Sequence, residues 1–208
     1  MQTERYITRS SRIRGYSIYL NSKLIYGKSP TAPGDFLNQA YQDFHINYPK
    51  FHKMDNMSKL GLLASEILLK DQLYKTRYQP YEMGVLLMNA SASLDTDIKY
   101  YKTVSEIPSP ALFVYTLPNI VIGEICIRNN FKGENAFFVF KQFDATFMAQ
   151  YVTNLFENND LEACLCGWVE LLEENFEAMM LLVEKSGSSD AMAFSKENIN
   201  KIYGEENG

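Results

Sequence analysis

An α/β fold with a mostly parallel sheet of about five strands and helices on its faces is what this sequence predicts, and three observations predict it. Short, wholly apolar runs at residues 83–88, 136–140, 163–169 and 178–183 have the length and composition of strands buried on both faces. Segments opening at Asp55, Asn119 and Asp144 carry apolar residues three and four apart, the spacing of one helix face. The two kinds of segment alternate with short connections, as they do in α/β proteins.

Residues 1–50 are rich in tyrosine and turn formers, among them Pro30, Pro33, Gly34 and Pro49, and read as a loop-rich opening with one strand around 13–20. From Asp55 the pattern changes. Met57, Leu60, Leu63, Ala64, Ile67 and Leu68 recur at helical spacing, with Asp55 or Ser58 as the cap. The run 83–88 follows Pro80 and is too short for a helix, so it reads as a buried strand. Residues 89–97 are small and polar, a loop at that strand's carboxyl end. Sites in α/β proteins gather there, although Asx and Ser turns alone account for such a composition.

Residues 111–115 are apolar, Pro118 interrupts, and 119–131 reads as a helix with Ile120, Gly123, Ile127 and Phe131 on one face and Gly133 as its stop. The strand 136–140 then turns through Lys141-Gln142-Phe143-Asp144 into a second amphipathic helix. Phe147, Met148, Tyr151, Val152, Leu155 and Phe156 make its apolar face, and Asp144 caps it. The last two strands are separated by the acidic stretch 170–177. From 186 the chain reads as a flexible tail that frays at 204–208. With neither repeat nor composition break, residues 1–208 form one domain.

The chain has 208 residues, 46% of them apolar and 22% charged, with a formal charge of −5. That balance excludes wholesale disorder and gives no basic face for nucleic acid. The charge is uneven. Arg5, Arg9, Arg12, Arg14, Lys23 and Lys28 face only Glu4 within residues 1–28, whereas residues 157–184 hold eight acids and no Lys or Arg. Two solvated faces are one reading of this, a docking strip for an anionic partner the other. No run approaches the roughly 18 apolar residues of a membrane span, and no apolar signal core follows the first residues, so the expected location is the cytoplasm.

The usual chemistries find little to use. Cys126, Cys164 and Cys166 are an odd number in apolar stretches and read as reduced, buried thiols; Cys164 and Cys166, two apart, face one side of their strand. His45 and His52, seven apart, are not a helical ligand pair, so no metal site is expected. The Asn-x-Ser triplets at Asn56 and Asn89 carry no weight in a cytoplasmic chain. No glycine-rich phosphate loop and no Gly-x-Ser-x-Gly occurs, and no cofactor is implied. At the turn of residues 141–144 a strand delivers a residue to the positive end of a helix, where an anion is stabilised. That residue, Gln142, is no nucleophile.

Several motifs, in order, carry a family resemblance. Residues 51–60, with Met54-Asp55 and Ser58-Lys59-Leu60, are similar to the Met-Asp-x-x-Ser-Lys-Leu/Phe segment of β-ketoacyl-[acyl-carrier-protein] synthases. Residues 109–133, with Asn119, Gly123 and Lys132-Gly133, resemble that family's Asn-x-x-x-Gly helix and the Lys/Arg-Gly step behind it. Cys166-Gly167-Trp168-Val169-Glu170 stands where the family has Gly-Gly-x-Glu. The resemblance spans residues 51–184 and implies one half of a thiolase-like fold. In the family the nucleophilic cysteine follows the glycine of that step by nine residues; here the position is Gln142, and no catalytic cysteine is implied.

A glutamine there resembles chain-length factors, inactive subunits that pair with a ketosynthase. The family's two histidines come from a C-terminal half that these 208 residues do not reach. The resemblance implies a non-catalytic partner in fatty acid, polyketide, or aryl polyene or flexirubin-type pigment synthesis, as a heterodimer with a ketosynthase or as a homodimer. Asn119, Gly123, Phe138, Phe140, Gln142 and Phe143 are its candidate interface or site-lining residues. Two alternatives stand beside it. One is a binding module for an acyl chain or acyl carrier protein docked by the basic strip; the other is a residual malonyl decarboxylase using the Gln142 amide.

Overall fold

The computed structural model describes residues 4–28, 32–70 and 74–204. In chain order it contains strands β1 (Tyr6–Arg14), β2 (Ser17–Leu20) and β3 (Lys23–Gly27), and helices α1 (Pro33–Asp43), α2 (Asn56–Leu69) and α3 (Tyr74–Arg77). Strand β4 (Met83–Asn89), helices α4 (Leu94–Val104), α5 (Pro110–Val114) and α6 (Ile120–Asn129), strand β5 (Asn135–Val139) and helix α7 (Ala145–Asn158) follow. Strands β6 (Ala163–Leu172), β7 (Asn175–Glu184) and β8 (Met192–Ala193) and helix α8 (Lys196–Gly204) complete it.

One sheet runs β3-β2-β1-β7-β6-β4-β5, with β8 also on β1. Strand β4 is parallel to β5 and β6, and every other pairing is antiparallel. The expected mostly parallel sheet of about five strands is thus a mixed, mostly antiparallel sheet of eight. The reason is physical: a strand buried on both faces is apolar throughout whichever way its neighbour runs. Direction is set by the turns. Gly15-Tyr16 (φ 56° and 61°) and Asn21-Ser22 (φ 48° and 64°) are left-handed pairs that close two-residue hairpins. Glu173-Glu174 closes β6 onto β7, so the acidic stretch 170–177 is a hairpin end with Glu170 opposite Glu177.

The sequence expectation therefore fails at both ends of the chain. The loop-rich opening holds three strands and α1, while Pro30 lies outside the described residues. The expected flexible tail supplies β8 and α8, which buries Ile199 and Ile202; residues 205–208 lie outside the described residues. The loop at 89–97 is shorter than expected because α4 begins at Leu94. Gly133 does not stop α6, since Asn130 (φ 59°) is its left-handed cap. A Cβ on Gly133 would instead meet the Met83 carbonyl at 2.5 Å, so the glycine lets two backbones pass.

Strand alternation sorts the core into two layers. Val85, Leu87, Leu165 and Val169 pack under α1, α2 and α6. Leu86, Met88, Cys164, Cys166 and Trp168 pack under α7 and α8. Helix α2 starts where expected: the Asp55 carboxylate accepts a bond from the Ser58 amide at 3.0 Å. A Cβ on Gly61 would meet Val121 at 2.4 Å, so this glycine sets how closely α2 and α6 approach.

The two charge strips are neighbours, not separate faces. Pairing of β1 with β7 sets Arg14 beside Glu177 at 2.6 Å, and Arg5 reaches Glu157 at 3.5 Å. Arg12 is buried over the Tyr19 ring and donates to the Ile202 carbonyl, and Lys28 pairs with Asp43. Much of the N-terminal strip is spent inside the protein.

Candidate functional site

The carboxyl ends of the parallel trio β5-β4-β6 meet at one corner, where α/β sheets present their sites. Two loops and one carboxylate build it. Asn89, fully buried at the end of β4, folds its amide back on Ala92, accepting from the Ala92 amide at 3.0 Å and donating to its carbonyl at 2.8 Å. Its own carbonyl accepts from the Phe140 amide at 2.9 Å, tying the β4 loop to the end of β5. Glu170, on β6, accepts from the Ala90 and Ser91 amides at 2.6 and 3.1 Å. This is a role that the sequence reading did not assign to it. The available signal was an acid inside an otherwise apolar strand.

Beneath this loop, Thr96 donates to Asp55 at 2.7 Å, and burial raises the Asp55 carboxyl above its ordinary value. Burial likewise lowers the ammonium of nearby Lys59. These groups join α2 to α4 and lie away from the turn after β5.

That turn presents Gln142 exposed to solvent. Phe143 goes inward, stacked on Tyr203 of α8 at 4.1 Å and edge-on to Trp168 at 5.8 Å. Tyr203 is held by a 2.6 Å bond to Glu177 and by the Arg14 guanidinium over its ring. No local pattern marks Tyr203 for this place, because its partners Phe143, Glu177 and Arg14 are distant in the chain. Asp144 accepts from the Phe147 amide at 2.9 Å, so a carboxylate already meets the positive end of α7. An oxyanion at this turn would face that negative charge.

Phe138 and Phe140 join the corner through α7. Phe138 lies 4.9 Å from both Phe147 and Tyr151, and Phe140 4.6 Å from Phe147. Asn119 and Gly123 belong to the other layer, on α6. The spacing of Ile120, Gly123 and Ile127 did mark one face, but Gly123 and Ile127 turn outward while Val121, Ile122 and Ile125 pack inward. A Cβ on Gly123 would meet nothing, whereas Ile127 is 67% exposed.

The thiols are poor nucleophiles where they stand. Burial pushes Cys126 up to about 11 and Cys164 to about 12, and raises Cys166 well above the ordinary thiol value. His52 packs edge-on against Tyr41 and Phe51, and His45 lies beyond α1. Among the described residues no cluster of metal-ligating side chains occurs, and no helix is long and apolar enough to cross a membrane.

No protein-family model and no curated protein matches the chain. Solved structures do. The ishigamide ketosynthase/chain length factor superposes with a TM-score of 0.64 at 16% identity, covering 90% of this chain and 63% of that one. A type II polyketide synthase complex, AntDE with the acyl-carrier protein AntF, gives 0.60 at 16%, covering 88% and 63%. The ketosynthase ApeO in complex with its chain length factor ApeC, from Xenorhabdus doucetiae, gives 0.54 at 12%, covering 90% and 81%. The chain thus spans less than two thirds of the length of the first two. At such identities the likeness establishes the fold: this is a ketosynthase-like, thiolase-type half-fold of the kind found in ketosynthase and chain-length-factor complexes.

Proposed function

We propose that the protein is a non-catalytic, chain-length-factor-type partner of a β-ketoacyl synthase, acting in fatty acid, polyketide, or aryl polyene or flexirubin-type synthesis. The observation that carries this reading is Gln142. It occupies the exposed strand-to-helix turn where a condensing enzyme of this fold needs a thiol, and a carboxamide cannot carry an acyl group.

The surface beside the turn supports it. β5 is the last strand of the sheet, so among the described residues one of its edges is unpaired, and an open edge is a template for another chain. Val139 on β5 and Phe113, Val114, Leu117 and Ile127 on and around α5 and α6 are large apolar side chains about half exposed or more. Gly123 sits among them at mid-helix. It costs about 1 kcal/mol relative to alanine, and no close contact among the described residues requires it. An approaching partner helix would.

The two alternatives gain less support. A carrier protein docking on residues 5–28 would meet arginines already bonded inside the fold, and a decarboxylase using Gln142 would work against Asp144. Affinity purification from native cells tests the main reading. It requires a full-length ketosynthase in about equal amount; a chain recovered alone, or only with itself as a homodimer, counts against the heterodimer.

A further inference from the structure

A surface helix is held mainly by burial of its apolar face, and α4 and α5 lack that burial. No side chain of residues 97–114 is buried, the longest such run among the described residues. Helix α4 buries only Asp95 and Thr96, and α5 buries none of its residues. Ile98, Tyr101, Val104, Ile107, Phe113 and Val114 are all exposed. The two helices pack on each other instead: the Tyr100 and Phe113 rings lie 5.5 Å apart, and the Thr103 hydroxyl accepts from the Ser109 amide at 3.0 Å.

Their attachments to the body are polar and stand at the two ends. Thr96 donates to Asp55 at 2.7 Å, and Asp95 accepts from the Glu173 amide at 3.1 Å. At the far end the buried Tyr115 donates to Glu124 at 3.3 Å. Ser93 donates to the Thr116 carbonyl at 2.7 Å, so the two ends are tied to one another. Among the described residues, no hydrogen bond, ion pair or ring contact of residues 98–114 reaches outside residues 93–118. The chain enters α4 through Ala92, whose left-handed backbone (φ 49°) is fixed by its two bonds to Asn89 and stays with the body.

We infer that residues 94–116 form a strap, latched at Thr96 and Tyr115, which opens as one unit while the sheet and α2, α6 and α7 stay folded. Opening gives up the latch bonds and, apart from the Tyr115 ring, little apolar burial, so its free energy lies far below that of global unfolding. Helices of 11 and 5 residues do not persist without a packed face, so the released strap unravels and its amides meet water. Only the closed strap presents its apolar residues as one surface. Resting on the partner reading, docking of the synthase and closure of the strap therefore reinforce one another.

Native-state hydrogen exchange of the full chain, followed by mass spectrometry, tests it. In the wild type the amides of α4 and α5 share one low protection, about 100-fold or more below those of β6 and α7, with little dependence on urea. Thr96→Val removes one latch bond and speeds exchange across the strap about tenfold; Tyr115→Phe, which keeps the ring, also speeds it. Val152→Ala, in the core under α7, speeds exchange in β6 and α7 but leaves the strap unchanged, because that core stays folded when the strap opens. Strap amides that match α7 in protection, or that follow Val152→Ala, would overturn the inference. A bound ketosynthase slows exchange of the strap. Binding without slowing overturns the coupling alone, whereas recovery of no synthase counts against the partner reading and leaves the strap's own opening to be decided by the exchange of the free chain.

Discussion

The two helical layers finish their outer surfaces in opposite ways. Helix α7 shows solvent Thr146, Gln150, Asn154 and Glu157, so the layer of α7 and α8 ends in polar groups. On the other layer, α4, α5 and α6 show Ile98, Tyr101, Val104, Phe113 and Ile127. Both layers cover the same sheet with equally dry interiors, so burial inside does not explain the contrast. On the proposed partner reading, the apolar contact falls on the α4–α6 side and on the β5 edge left unpaired among the described residues, whereas α7 is already finished towards water.

The largest expected effect breaks this comparison directly. Replacing Leu117 and Ile127 together by Asp reduces affinity for the ketosynthase recovered with the wild-type chain by about 100-fold or more. Gln150→Asp with Asn154→Asp, on the polar layer, leaves it within error. Equal losses from the two pairs, read by titration of the purified proteins, would remove the distinction.

Two glycines of the same layer sharpen it. Gly61→Val forces side-chain atoms into Val121 and lowers stability by about 1–3 kcal/mol. Gly123→Ala meets open space and raises stability by about 0.5–1 kcal/mol, yet weakens partner binding where a second chain approaches closely. Urea unfolding of both variants reads the first effect and co-purification the second. At the turn, Asp144→Ala removes the α7 cap at a cost of about 1 kcal/mol.

A further effect, confined to alkaline pH, concerns the thiols. In the folded protein Cys164 holds its proton up to about 12 and Cys126 up to about 11, above the ordinary thiol value of 9.0 in both cases. The folded state therefore binds these protons more tightly. Their contribution is whole below pH 9 and declines as pH rises towards 11 and 12. Urea midpoints measured from pH 8 to pH 11 should fall for the wild type and fall less steeply for Cys164→Ala. A parallel decline in the two proteins would dismiss the Cys164 contribution.

Legibility in the sequence followed the range of the interactions. The caps Asp55 and Asp144 were readable because each bonds an amide three residues on. So was β4, buried along its whole length. The hairpins of β1, β2 and β3 were missed because Gly15-Tyr16 and Asn21-Ser22 are weaker turn signals than Asn-Gly, and the surrounding tyrosines suggested loops. At the candidate site, Gln142 was found by counting from Gly133. Tyr203, which stacks on the adjacent Phe143, was not, since it arrives through α8 from elsewhere in the chain; Glu170 stood out in its motif, but not as the acceptor of the Ala90 and Ser91 amides.

By itself the sequence determined where most of the buried strands and long helices lie, and that a carboxamide stands at the turn after β5. Local periodicity and a single side chain are enough for that, because both act within a few residues. Only the tertiary structure decided which strands run antiparallel, that Arg14 of the basic strip pairs with Glu177 of the acidic one across β1 and β7, and that Gly123 and Ile127 face outward. Those outcomes rest on contacts between residues far apart in the chain, and a pattern of apolar spacing reports that a face is apolar without saying what covers it.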